Sequence, residues 1–384
     1  MSTTDEWSSN SNDAIHIQLV KPNGEVDFEF HPANTYSIFG DAETIYGYKG
    51  LNVTIKFLMP WMKPSLTITS NETIPSTSGV TPTDISSILK EYIPFTNTDG
   101  EATASSDTLS FLPKEPLCSY VKNEKTFKIF KTSVTAAEKL MQNLQVFPLF
   151  FIDGGSFIDL EDPQWFVYFV FEVQDEQLYL RGYSTVYHYY VWKKDDSSAL
   201  RARISQFIIL PPFQHQGHGS KLYKTIVGDF MGDKNIVDFA VEDSSESFDA
   251  LRDRCDFTRI AESGLFDREE FRAPLSTQWI SLHRLPYKLN KRQFSRCCEL
   301  ALLSKLNNQL ASERKAYRLT VKERIFRQNI DVLLQLEKPE RLEKLQEAYK
   351  NQLDEYKRIL AEGFPIPQAE KGDMPPAKRL KTSS

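Results

Sequence analysis

Two hydrophobic periods take turns along the chain. Between residues 14 and 60, runs such as AIHIQLV, VDFEFHP and LNVTIKFLMPW alternate apolar with polar positions, the period of two that marks half-buried strands joined by turns. Residues 60–116 are rich in Pro, Ser and Thr, with one helical pattern at TDISSILKEYI. SVTAAEKLMQNLQVFPLFF then keeps helical spacing until Pro148, where a helix is expected to stop. In WFVYFVFEV aromatic and aliphatic residues alternate with no breaker, which predicts a strand buried on both faces. QLYLRGYSTVYHYYVW and ARISQFIIL predict two more long strands. A helix from Gly217 to Phe230, a strand at NIVDFAV and a helix at SSESFDALRDR follow.

After residue 290 the pattern is helical, in RQFSRCCELALLSKLNNQL and RKAYRLTVKERIFRQNIDVLLQL. Pro339 separates these from a last segment in which Leu342, Leu345, Tyr349, Leu353, Tyr356 and Leu360 recur at spacings of three and four. Glu340/Lys344 and Asp354/Arg358 flank that stripe as opposite charges at i,i+4, and Gly363 and Pro365 are expected to end it. Such a stripe fits packing on this protein or on a partner helix better than on a membrane. The order of elements predicts a mixed α/β (α+β) fold in five parts. These are a disordered tail (1–13), an N-terminal mixed α/β domain (14–118), a domain on a mixed, largely antiparallel sheet (119–272), a helical region (273–363) and a disordered basic tail (364–384). There are no internal repeats.

Composition narrows this picture. With 384 residues, 40% hydrophobic and 12% aromatic, the chain is expected to pack sizeable cores. Its four cysteines, Cys118, Cys255, Cys297 and Cys298, form no C-x-x-C pair and no zinc-ligand spacing, which points to a reducing compartment and no metal. The opening MSTTDEWSSNSND has no apolar stretch of the kind a signal peptide needs. FPLFFI and WFVYFVFEV are too short to span a bilayer, so a soluble intracellular protein is expected. Residues 1–200 carry 26 acidic and 14 basic side chains, whereas residues 201–384 carry 26 and 32. An acidic first half argues against direct nucleic-acid binding and suits a cationic protein or peptide, although solubility alone would also account for it. The terminal PPAKRLKTSS reads as a nuclear-import signal.

One stretch does not look like packing. In ILPPFQHQGHGSKLY two prolines end an apolar strand, and two glycines two apart lead straight into a helix. Backbone N–H groups bind a phosphate where the chain turns tightly and no Cβ blocks the approach. The dinucleotide fingerprint is absent, because Gly219 is followed by Ser220, Lys221 and Leu222, and no G-K-[ST] follows to make a Walker loop. By itself the turn is equally a flexible strand-to-helix connection.

The pattern Q-x-x-G-x-G after an aliphatic strand end resembles the pyrophosphate loop of the GNAT acetyltransferases. That resemblance implies a GNAT core in which Phe207, Ile208, Ile209, Gln214, His215, Gln216, Gly217, His218, Gly219 and Ser220 bind acetyl-CoA. FGDAETIYGYKGLNV, FIDGGSFIDLEDPQWFVYFVFE, GYSTVYHYYVW, LPPFQHQGHGSKLY and VEDSSESFDALRDR occur in that order. Over residues 15–330 they resemble the type B histone acetyltransferase catalytic subunits, which act in cytoplasm and nucleus on newly made histone H4.

The family implies a lysine substrate, and an ammonium with a reference pKa of about 10.4 needs a general base before it can attack. Matching the VED motif, Glu242 is the expected base, with Asp243 beside it as second choice or as the cap of the following helix. Asp153 stands where the family usually has Glu, one methylene shorter. Ser245 and Arg254 match further coenzyme-contacting positions, and Ser244 stands where relatives often have proline. Asp41, Ala42, Glu43, Trp165, Tyr187, His188 and Tyr189 match positions that contact the histone tail; read without the family, Trp165 and the tyrosines are core residues. His215 and His218 are expected to point from the loop into solvent. The family implies direct transfer without a covalent enzyme intermediate, histone H4 accompanied by H3, and a WD-repeat histone-binding subunit.

Overall fold

The uninterrupted apolar runs become the middle of a six-stranded sheet. The computed structural model describes residues 5–75, 79–95, 109–192, 198–306 and 310–362, and the chain divides into two compact units, Met1–Ser244 and Ser245–Ser384. The first unit opens with β1 (Ile15–Val20), β2 (Val26–Phe30), β3 (Asn52–Leu58) and β4 (Lys63–Thr69), ordered β2-β1-β3-β4 with only β1 and β3 parallel. Helix α1 (Ile85–Tyr92) follows. Then come β5 (Cys118–Lys122), β6 (Lys125–Ser133), α2 (Glu138–Leu144), α3 (Val146–Phe151), β7 (Trp165–Gln174), β8 (Gln177–Trp192) and β9 (Ser198–Ile209). Helix α4 (His218–Gly232) and β10 (Ile236–Val241) complete the unit. The large sheet runs β10-β9-β8-β7-β6-β5, antiparallel except for β9 against β10.

Two expectations change. The tail over 1–13 is ordered from Asp5 on: Ser8–Asn10 pairs with Thr44–Tyr46, and buried Ser11 meets Thr35 at 2.5 Å. Pro148 does not stop a helix. It occupies the first turn of α3, where its missing N–H costs nothing because first-turn amides have no intrahelical partner.

Two β-bulges set the sheet's chemistry. Between β7 and β8 the register passes from Val170↔Gly182 to Phe171↔Leu180, leaving Arg181 as the extra residue. Between β8 and β9 it passes from Thr185↔Gln206 to Val186↔Ile204, leaving Ser205 extra. A bulge bends the strand and re-aims the side chain that it carries. Next to the first bulge, Gly182 pairs with Ile209, and a Cβ there would lie 2.6 Å from the Ile208 carbonyl oxygen. Gly182→Ala therefore forces β8 away from the end of β9. It is expected to cost about 1–3 kcal/mol in urea unfolding, the usual range for overpacking.

The second unit is helical: α5 (Glu246–Glu262), α6 (Thr277–His283), α7 (Lys291–Ser304), α8 (Ala311–Gln328) and α9 (Lys338–Ala361). Pro339 again lies in a first turn, opening α9 rather than preceding it. Tyr356 and Ile359 of α9 are fully buried while Leu342 is 56% exposed, so the seam is tilted from the stripe read in the sequence. It packs within the unit, against α7 and α8, and none of the described helices is long and apolar enough to cross a membrane. Lys344 and Asp354 pair with Glu347 and Lys357. Gly363, Pro365 and the basic tail lie outside the described residues.

A buried charge network joins these helices. Arg296 of α7 donates to Asp253 of α5 at 2.5 Å and to Glu355 of α9 at 2.7 Å, while Arg324 of α8 bonds Glu299 of α7 at 2.8 Å. Burial works against the charge on Arg296, but Asp253 and Glu355 outweigh it and push the guanidinium pKa up. Removing one partner strands the other. Arg296→Met should cost about 3–5 kcal/mol in urea unfolding, with part recovered in the Arg296→Met/Asp253→Leu double variant.

Candidate active site

The site grows from the end of the β9–β10 ladder. These parallel strands pair from Leu200↔Ile236 to Ile204↔Val241, and the Glu242 amide closes the run by donating to the Ile204 carbonyl at 2.9 Å. β8 holds the other edge of β9 as far as Ile209, so Phe207, Ile208 and Ile209 run on beyond the end of the β10 ladder. A short 3-10 turn at Pro211–Phe213 then reverses the chain. Gln214 donates back to the Ile209 carbonyl at 2.9 Å and Gln216 to that of Pro212 at 2.8 Å, which makes the glutamines internal clasps. Gly217 takes φ +89 as N-cap of α4, and nothing lies within 4 Å of where its Cβ would be. No side chain caps α4, so the first-turn amides, from His218 through Gly219 and Ser220, suit an anionic group.

The loop rests on buried polar groups. His215 is exposed, as expected, but His218 is 1% exposed, which overturns its expected solvent orientation. Its ring bonds the Tyr120 hydroxyl at 2.8 Å through Nδ1 and packs 4.4 Å from Phe127. Burial, aided by Lys122, holds its pKa below the ordinary histidine value. Beneath Phe213, 4.4 Å from its ring, sits the guanidinium of Arg181, fully buried and paired with Glu172 at 2.9 Å and Asp27 at 2.8 Å.

Glu242 leaves the sheet where the strands diverge. Ser205, the second bulge residue, donates to its Oε2 at 2.5 Å, and Arg203 Nη1 lies 3.3 Å from its Oε1. Asp243 is exposed with φ +30, and it is not the cap of α5: Ser245 is, accepting from the Phe248 amide at 3.3 Å. Asp153 belongs to a separate knot, in which the Tyr36 hydroxyl donates to it at 2.9 Å and accepts from the Gly154 amide at 2.5 Å. That segment is tied to β9 through Gln206, whose side chain donates to the Ser156 carbonyl at 2.8 Å. In the second unit, Arg254 pairs with Glu362 at the end of α9.

The aromatic residues divide by sheet face. Trp165 and Tyr187 are register partners with rings 4.9 Å apart, and Tyr187 is opposite Arg203, whose guanidinium lies 5.8 Å from its ring. Trp165 is 8% exposed, Tyr187 and Tyr189 are half-buried, and Asp162 bonds the Tyr187 hydroxyl. His188 points to the opposite face, 4.6 Å from Phe166, which separates it from the other candidate substrate residues. Asp41 and Ala42 are exposed, whereas Glu43 is used internally: it accepts from the Thr35 amide at 2.6 Å and from Asn12 at 2.9 Å. Among the described residues no group of three or more His, Cys, Asp or Glu is placed to hold a metal ion.

Sequence reasoning missed Arg203, Ser205, Gln206 and Asp162. The signal for the first two was available, since Arg201, Arg203 and Ser205 fall at every second position of the strand, between Ala202 and Ile204.

Residues 7–153 match the family model described as histone acetyl transferase HAT1 N-terminus, and residues 253–307 match fungal HAT1, C-terminal. Relatives named histone acetyltransferase type B catalytic subunit align along nearly the whole chain. The one from Schizosaccharomyces pombe is 52% identical over 94% of each chain, and that from Kluyveromyces lactis 33% identical over 92% of each. The Candida albicans relative is 33% identical, covering 93% of this chain and 91% of its own. An aminoglycoside acetyltransferase of known structure, from an uncultured soil metagenomic sample, covers 38% of this chain and 90% of its own at 20% identity and TM-score 0.25, too slight a likeness to argue from. The class is therefore that of enzymes that acetylate histones. The chain belongs to the family of histone acetyltransferase type B catalytic subunits.

His188 carries a testable consequence. Burial first, then Lys131, brings its pKa down to about 4. The unfolded chain takes up this proton below about pH 6.5, the folded chain only near the lower value, so stability is lost as pH falls through that window. The full loss amounts to about 3 kcal/mol. His188→Phe should flatten the pH dependence of urea unfolding between pH 6.5 and 4; an unchanged slope would assign it to other groups.

Proposed function

We propose that this enzyme transfers the acetyl group of acetyl-CoA directly to lysine side chains in the N-terminal tail of free, newly synthesised histone H4, with Glu242 as general base. The observation that carries the reading is the placement of Glu242 at the divergence of β9 and β10, with both carboxylate oxygens oriented by Arg203 and Ser205. Acetyltransferases of this superfamily use acetyl-CoA, and the fit here is chemical: uncapped amides at the start of α4 suit its pyrophosphate, and the backbone of Phe207–Ile209 suits its pantetheine arm. Glu242 would take the ammonium proton; the freed amine forms the amide bond at the thioester carbon as the C–S bond breaks, and the second proton shed by its nitrogen passes to the leaving thiolate, which departs as the thiol. Backbone donors that polarise the carbonyl stabilise the charge developing on its oxygen. Asp243 and Asp153 would act as neighbouring charges.

The excess of acid over base in residues 1–200 supports a cationic tail as substrate, with Trp165, Tyr187 and Asp41 along its path. Tyr190 and Trp192, 64% and 78% exposed at the β8 end, offer aromatic anchors for a WD-repeat subunit bringing H4 with H3. Work on newly made histones fits residence in cytoplasm and nucleus.

The test is mass spectrometry of an H4 tail peptide incubated with the protein and acetyl-CoA, with spermidine as competing amine. Lysine acetylation of the peptide is expected, and equal turnover of spermidine would sink the histone reading. Glu242→Gln should lower kcat by about 10²–10⁴-fold at an unchanged unfolding midpoint, and unaltered transfer would remove Glu242 as base.

A further inference from the structure

Arg203 is the unexplained charge at this site. It lies on the sheet face of Tyr187, with Nη1 3.3 Å from Glu242 Oε1 and a buried Nε that finds no hydrogen-bond partner. The other charged and titratable groups are accounted for. Arg201, one position away on the same face, is paired with Asp238 of β10. On β8, Tyr187 is bonded to Asp162 from the turn before β7, and Asp243 follows Glu242 into solvent. Arg203 is thus the guanidinium that shares the carboxylate assigned as base.

A lysine ammonium approaching that carboxylate meets a second cation already there. A like charge within about 4–6 Å disfavours the charged form of a titratable group. A guanidinium keeps its charge throughout the assay range, so the group that yields is the incoming ammonium, which becomes the neutral amine. We propose that Arg203 is a positioning residue for acetyl transfer: it fixes the carboxylate of Glu242 and, by its charge, favours the deprotonated form of the lysine delivered to it. The inference rests on the reading of Glu242 as base. No atoms beyond those of the transfer are involved: the ammonium proton passes to Glu242, and Arg203 gives up none.

The test is the pH dependence of kcat, which reports groups in the enzyme–substrate complex, with an H4 tail peptide for wild type, Arg203→Gln, Arg203→Lys and Glu242→Gln. Arg203→Gln should move the rising limb about one pH unit upward, making it about tenfold slower below the limb and nearly normal above it. Arg203→Lys, which keeps the charge, should keep the wild-type limb. The position of the limb does not depend on how much enzyme is folded, so partial misfolding cannot imitate the shift. Two results overturn the proposal alone: Arg203→Gln with the wild-type limb while Glu242→Gln is inactive, or Arg203→Lys displaced as far as Arg203→Gln, which would make shape rather than charge the cause. A fully active Glu242→Gln would instead overturn the base reading, and this proposal with it.

Discussion

One hydrogen bond decides where this site lies. The Glu242 amide donates to the Ile204 carbonyl and closes the ladder of β9 and β10. β10 ends there, whereas β9 stays paired to β8 along its other edge as far as Ile209. That difference in length puts a carboxylate at the end of the ladder and leaves a stretch of strand backbone beyond it. A sheet antiparallel up to its last pair needs a crossover to add a parallel strand. Here α4 is that crossover, and its N-terminus falls just past the divergence. Uncapped helix amides, strand backbone and carboxylate are thus set near one end of the same crossover.

The loop between them is flexible in composition yet held in place. Arg181 and His218 grip it from below, one through Phe213 and the other through Tyr120 and Phe127. Neither contact is a cheap source of stability, since burying a guanidinium or an imidazole costs desolvation energy that its partners only offset. What the pairs supply is a fixed platform: Glu172 and Asp27 hold Arg181 in one place, and Phe213 of the loop rests on its guanidinium. The second unit uses the same device, with Asp253 and Glu299 holding Arg296 and Arg324 between helices.

Much of this was legible in sequence, for physical reasons that differ by element. The long strands were plain because ten or more residues without a breaker leave no other structure, and the glycine turn was plain because its backbone requirement is nearly unique to glycine. Pro148 was misread: it looked like a stop, yet it sits in a first turn, where its missing N–H is harmless. His218 was misread for a subtler reason: it was treated as part of a loop, although spacings of four to Leu222, Ile226 and Phe230 already set it on the buried stripe of α4. Glu43 and Asp243 could not be assigned from sequence, because residue type alone does not say whether a carboxylate is exposed, as Asp243 is, or accepts two internal hydrogen bonds, as Glu43 does.

The two bulges mark the limit of pattern reading. A strand with one extra residue has the composition of a regular strand, and the period of two slips without announcing where. Yet both extra residues, Arg181 in QLYLRGYS and Ser205 in ARISQFII, are polar residues beside apolar ones, and both make side-chain contacts outside the ladder. Arg181 reaches inward to the loop's support and Ser205 outward to Glu242. Were Ser205 deleted, pairing beyond Val186 would be regular, Gln206 would follow Arg203 at the next position on that face, and the carboxylate would lose its hydroxyl donor. The Glu242 carboxylate is thus held in part by the residue that the ladder leaves unpaired. A deletion that restores perfect pairing would improve the sheet while dismantling the site.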